Sequence, residues 1–113
     1  MLKTFGVAAL AALMVTGAAA ADPIEGRWRT EPGAIAQIAS CGGSFCVKLV
    51  SGKHSGKQIG TMSAQGGNSY KGTITDPTND KTYKGDVTLS GNSLKMRGCV
   101  MAVICRSQNW KRM

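Results

Sequence analysis

The stretch Lys81-Thr82-Tyr83-Lys84-Gly85-Asp86-Val87-Thr88-Leu89 decides the fold class. Tyr83, Gly85, Val87 and Leu89 take one phase, and Lys84, Asp86 and Thr88 take the other. A period of two puts alternate side chains on opposite faces, so the segment predicts a strand with one buried and one wet face. The pattern recurs on both sides. Leu94, Met96 and Gly98 alternate with Lys95 and Arg97, and Tyr70, Gly72 and Ile74 alternate with Lys71, Thr73 and Thr75. Phe45, Val47 and Leu49 do the same around Lys48. Half-wet alternation of this kind belongs to antiparallel sheets.

Turn residues separate these segments: Gly42-Gly43, Gly66-Gly67-Asn68, Asp76-Pro77-Thr78-Asn79-Asp80 and Ser90-Gly91-Asn92. Eight strands are predicted, at 26–30, 34–40, 45–51, 58–63, 68–75, 81–89, 93–100 and 103–111. The fourth is the weakest, because 52–67 is rich in Gly, Ser and Lys and also reads as a loop. Nothing after residue 22 sustains a helical period. The expectation is an all-β fold, a small antiparallel up-and-down barrel, because closure removes edges that no helix is present to cover.

The chain has 113 residues, and residues 1–21 read as a cleavable signal peptide. Lys3 supplies the positive start, Phe5 to Val15 the apolar run, and Ala19-Ala20-Ala21 the small-residue site, with cleavage expected after Ala21. The apolar run is short for a bilayer span, so the mature chain is expected to carry no transmembrane segment. Residues 22–113 suffice for a single domain. A multidomain enzyme, a transporter and a large cofactor fold are excluded by length. The expected destination is periplasmic or secreted, where thiols oxidise. In this mature part 13 Lys and Arg face 6 Asp and Glu, a net charge of +7. Such a field attracts lipopolysaccharide, acidic glycans or phospholipid surfaces. No nucleic-acid partner is expected, since aromatic residues do not interleave with the basic ones.

Four cysteines fall in two tight pairs, Cys41 with Cys46 and Cys99 with Cys105. Three pairings are open to four cysteines, and spacing alone selects none. Local pairing is favoured because Cys41-Gly42-Gly43-Ser44-Phe45-Cys46 reads as a hairpin tip, and Cys99 to Cys105 brackets a turn between apolar stretches. Each such ring stabilises by about 2 kcal/mol on a loop-closure estimate. A four-thiolate zinc site is the rival, with spacers too long on one side and thiols exposed to oxidation.

Gly26-Arg27-Trp28 at the start of the first strand resembles the lipocalin (calycin) superfamily, where a Trp in a G-x-W plugs one barrel end. In that superfamily a last-strand Arg or Lys packs across the Trp. The run Gln108-Asn109-Trp110-Lys111-Arg112 is placed to supply it, with Trp110 and Arg112 as candidates. Over nearly the whole mature chain the sequence is similar to the bacterial family called domain of unknown function 2147. The similarity is carried by Asp22 to Thr30, the Cys41/Cys46 pair, Ile74-Thr75-Asp76-Pro77, Lys81 to Gly85, Leu94 to Cys99 and Cys105 to Arg112. It implies a secreted, lipocalin-like barrel. Departures fall in the middle: 51–65 is short and polar, Tyr70 stands where Trp is expected, and Asp80 where Gly is expected.

Arg106, Gln108, Trp110 and Arg112 share one strand phase. If Trp110 points inward, Arg106 and Gln108 point into the lumen, where an Arg wants a carboxylate or phosphate. Arg106 and Gln108, with Tyr83 and Tyr70, are therefore the candidate ligand-binding residues, for a small apolar or anionic molecule. The structural alternative is an Arg106 that faces solvent or pairs with Asp76, Asp80 or Asp86. Fatty-acid-binding relatives of the calycins hold a carboxylate with a last-strand Arg, a precedent by analogy only. Lys48, Lys71, Lys84 and Lys95 lie on polar phases and read as a solvated outside. His54, the one His, sits in a basic Gly- and Ser-rich loop beside Ser55, which is not a triad. No metal-ligand cluster or nucleotide motif is present, and no cofactor is expected. The expectation is a non-enzymatic binding protein. The alternative is a protein-interaction barrel, such as an inhibitor of a secreted hydrolase, or an envelope structural protein.

Overall fold

Strand β1 (Gly26–Arg29) leads into β2 (Ile35–Cys41), β3 (Ser44–Leu49) and β4 (Gln58–Gly66). They are followed by β5 (Ser69–Asp76), β6 (Lys81–Ser90), β7 (Ser93–Val100) and β8 (Ile104–Arg112). The computed structural model describes residues 22–101 and 104–113, so the signal-peptide reading of 1–21 and the expected strand start at 103 lie outside the described residues. Each strand pairs antiparallel with the next, and β8 returns to β1 to close an eight-stranded barrel. This all-β, helix-free architecture of the described residues is consistent with a lipocalin-like barrel.

The alternation sets the core. Val47, Val87, Leu89, Leu94 and Met96 are buried, while Lys48, Lys71, Lys84 and Lys95 are exposed. The segment 58–63 is a strand, longer than expected, and it runs past a register shift between Ala64 and Gly66. The glycines on the inward phase let strands curl tightly. A Cβ on Gly72 would lie 1.8 Å from the Thr61 carbonyl oxygen, so only glycine permits that approach of β5 to β4.

Both cysteine pairs are disulfides, Cys41–Cys46 and Cys99–Cys105. The second joins residues directly opposite each other in the β7–β8 register, with Cα atoms 4.0 Å apart. Antiparallel order puts Cys41–Cys46 and the 42–43, 67–68 and 91–92 turns at one end. The 30–34 and 50–57 loops, the 77–80 turn and Cys99–Cys105 lie at the other. The two ends differ in kind.

Candidate ligand-binding site

At the first end the barrel is stoppered. Ile24 and Trp28 are fully buried, and the Trp28 indole N–H donates to the Ile24 carbonyl at 3.0 Å. Arg112, paired with Trp28 in the β1–β8 register, lays its guanidinium carbon 4.2 Å from the indole centroid. Its Nη1 donates to the Glu25 carbonyl at 3.0 Å and its Nη2 to the Pro23 carbonyl. Gly26 has φ +130, and a Cβ there would sit 3.1 Å from Arg112 Nη1. The expected Trp/Arg packing is thus made by Trp28 and Arg112. Trp110 lies deeper.

Tyr70 belongs to this closed end. Its hydroxyl donates to Asp22 Oδ1, and its ring meets Phe45 edge-on at a centroid distance of 5.9 Å. Burial, together with the hydrogen bond to the Asp22 carboxylate and its charge, pushes the Tyr70 hydroxyl pKa up to about 12. The expectation that Tyr70 joins Arg106 and Tyr83 is corrected here. Tyr70 is the second residue of β5, whereas Tyr83 pairs with Ile74 near that strand's far end. Strand phase fixed the face, and register fixed the height.

The other end opens into a cavity of about 410 Å³. Arg106, Gln108 and Trp110 descend into it along β8, opposite Gly98, Met96 and Leu94 of β7. Successive inward residues of a strand lie about 7 Å apart, so the column changes from charged to amide to aromatic over roughly 13 Å. Leu49, Ile59, Ile74 and Met96 add apolar wall. Tyr83, His54 and Asp76 also line the cavity. His54 reads in the sequence as a loop residue without a task; only the path of the 50–57 loop puts it at the mouth.

Two local contacts shape this mouth. Trp110 Nε1 donates to Gln108 Oε1 at 2.8 Å. Indole is a donor only, so the amide oxygen must face it, and the amide NH₂ is left as a donor. Arg106 is exposed and has no ion-pair partner within 4 Å among the described residues; Asp80 and Asp86 are engaged by Lys57 and Lys71 instead. Lys57 Nζ reaches Asp80 at 2.6 Å, tying the 50–57 loop to the β5–β6 turn. That hydrogen bond and charge hold the Asp80 carboxyl below its ordinary pKa. Asp80 has φ +59, the left-handed conformation that favours glycine, which accounts for the Gly expected at this position.

A family model described as "Uncharacterized protein conserved in bacteria (DUF2147)" matches residues 26–112. The chain belongs to this family. Searches of curated proteins and of solved structures returned no match. The matched span of this DUF2147 protein runs from Gly26 at the start of β1 to Arg112 at the end of β8, so it covers all eight strands, both members of the Trp28–Arg112 pair and the residues that line the cavity. Its two disulfides suggest an oxidising extracellular compartment. No helix among the described residues is long and apolar enough to cross a membrane.

Proposed function

We propose that this DUF2147 protein is a secreted, non-enzymatic binding protein that holds a small amphipathic anion in its open cavity. The apolar part of the ligand lies against Trp110, Met96 and Ile59, and its acidic head meets Arg106 and the Gln108 amide. One observation carries the reading: an Arg with no ion-pair partner among the described residues stands above a Gln whose oxygen is already taken, at the mouth of an apolar-walled cavity. Both groups offer only donors there, which suits a carboxylate or phosphate. The cavity's size falls within the usual range of small-molecule sites, about 300–1,000 Å³. Cleavage after Ala21 and export to the periplasm or beyond complete the proposal, and they agree with disulfide bonding.

Native mass spectrometry of protein purified from a secreting host, with displacement of a fluorescent fatty acid, tests it. Wild type should retain or bind the acid. Arg106→Ala should weaken binding by roughly 10- to 100-fold, the range for a charged hydrogen bond. Wild type that binds no acid, or an Arg106→Ala protein that binds as well as wild type, rules the reading out.

A further inference from the structure

Beside the cavity, the β7–β8 hairpin ends in an apolar tip that the ligand site does not use. Beyond the Cys99–Cys105 crosslink, Met101 is 78% exposed and Ile104 is 61% exposed. With Met113 they are the large hydrophobic residues left in water among the described residues. Met101 also has φ +56, a conformation that L residues with a Cβ adopt at an energetic penalty. Turn stability alone favours glycine or asparagine there. The strained position instead carries a long apolar side chain, held outward on a disulfide-braced hairpin.

Cations stand directly behind the tip. Lys84 pairs with Cys99 across β6 and β7, and Arg97 is two residues further from the tip, with its Nη2 3.5 Å from Cys105 Sγ. Arg106 follows Cys105 on the lumen face. All three are exposed. The nearest carboxylate in the register, Asp86 opposite Arg97, is 3.8 Å from Lys71. At about 3.3 Å per residue, Lys84 and Arg106 lie roughly 7 Å along the strands from the apolar tip, within about one Debye length at physiological salt, and Arg97 lies roughly 10–13 Å from it.

We propose that this tip docks on an anionic lipid bilayer. Met101 and Ile104 enter the boundary between headgroups and acyl chains, and Lys84, Arg97 and Arg106 sit at the level of the lipid phosphates. Charge complementarity selects this occupant. A second copy would bring two strongly basic barrels and their cationic belts together, whereas anionic lipid neutralises them. Long basic side chains suit that depth because their stems lie along apolar surface while their heads stay in the polar layer.

Vesicle flotation tests the proposal, using oxidised protein with vesicles of phosphatidylcholine alone and of phosphatidylcholine mixed with phosphatidylglycerol. Partitioning into the anionic vesicles should be at least about tenfold stronger and should fall with salt. Met101→Gly combined with Ile104→Ser should lose about tenfold in partitioning with no drop in Tm, since the glycine relaxes the turn. Lys84→Ala and Arg97→Ala should each lose roughly fivefold. Wild type that ignores anionic vesicles, or a tip variant that binds them as wild type does, overturns the proposal. So does a dimer in sedimentation equilibrium that the tip variant dissolves, which would assign the tip to a second copy. The tip variant keeps Arg106 and the whole cavity lining, so it should bind the fluorescent fatty acid as wild type does, and a failure of the tip to dock is thereby distinguished from a failure of the Arg106 reading.

Discussion

Arg112 and Trp28 face each other across the seam where the last strand meets the first, guanidinium over indole at 4.2 Å. The seam has only two register pairs, Trp28 with Arg112 and Arg29 with Lys111. Side chains therefore supplement its backbone ladder. Arg112 binds two carbonyls of the segment before β1, and Glu31 accepts the Asn109 backbone N–H at 2.8 Å. Arg112→Ala should lower unfolding free energy by about 2–4 kcal/mol, from the lost cation–π contact and charged hydrogen bonds. Arg112→Lys should recover little, because an ammonium cannot lie flat on the ring and span both carbonyls. Urea unfolding of the three proteins checks this ordering.

Tyr70 and Asp22 give the closed end an alkaline sensitivity. The hydroxyl pKa rises from 10.0 to about 12 on folding, so its contribution is present in full below pH 10 and is lost between 10 and 12. In that window the unfolded chain releases the phenolic proton while the folded chain retains it. Two decades in proton affinity correspond to at most roughly 3 kcal/mol. Tyr70→Phe should therefore flatten the fall in stability across this window, as urea midpoints measured in steps from pH 9 to 12 will report.

The fold was legible where burial alternates. Tyr83 to Leu89 and Leu94 to Gly98 alternate because one face of β6 and β7 meets the lumen, and the expected limits fall within a residue of the observed strands. In β4 the signal fades after Met62, since Ser63 to Gly66 are all exposed and only backbone pairing to β5 extends the strand. The site was legible as a column, because Arg106, Gln108 and Trp110 share a strand phase. Its height was not legible. Tyr70 has the inward phase yet lies at the stoppered end, as cross-strand register requires. Contacts such as Tyr70 with Asp22, 48 residues apart, leave no local pattern.

Gly72 and Gly85 are neighbours in the β5–β6 register and should respond differently to an added methyl. At Gly72 the new carbon meets the Thr61 backbone at 1.8 Å, and the two strands would have to separate. At Gly85 its nearest neighbour is the Met62 terminal methyl at 2.8 Å, the end of a flexible side chain. Gly72→Ala should give a protein that is unfolded or more than about 3 kcal/mol less stable, while Gly85→Ala loses about 1–2 kcal/mol. Thermal and urea unfolding of the two variants decide it; equal losses would mean β4 and β5 separate easily at this corner.

The two disulfides close rings of similar size, with sequence separations of 5 and 6, so chain entropy assigns each about 2 kcal/mol. Their surroundings separate their effects. Cys41–Cys46 sits on a β2–β3 hairpin with a tight Gly42-Gly43 turn, paired without a break from Cys41–Ser44 to Ala36–Leu49. Cys99–Cys105 braces the mouth, where its loss frees the strand end that carries Arg106. Replacing either pair by serines should lower stability by similar amounts. Only the Cys99→Ser, Cys105→Ser protein should also weaken fatty-acid binding at a temperature where both variants remain folded, because there the donor is no longer held above Gln108. Paired urea titrations and fluorescent-acid titrations make the comparison, and equal binding by both variants would show that Arg106 is positioned by the barrel wall alone.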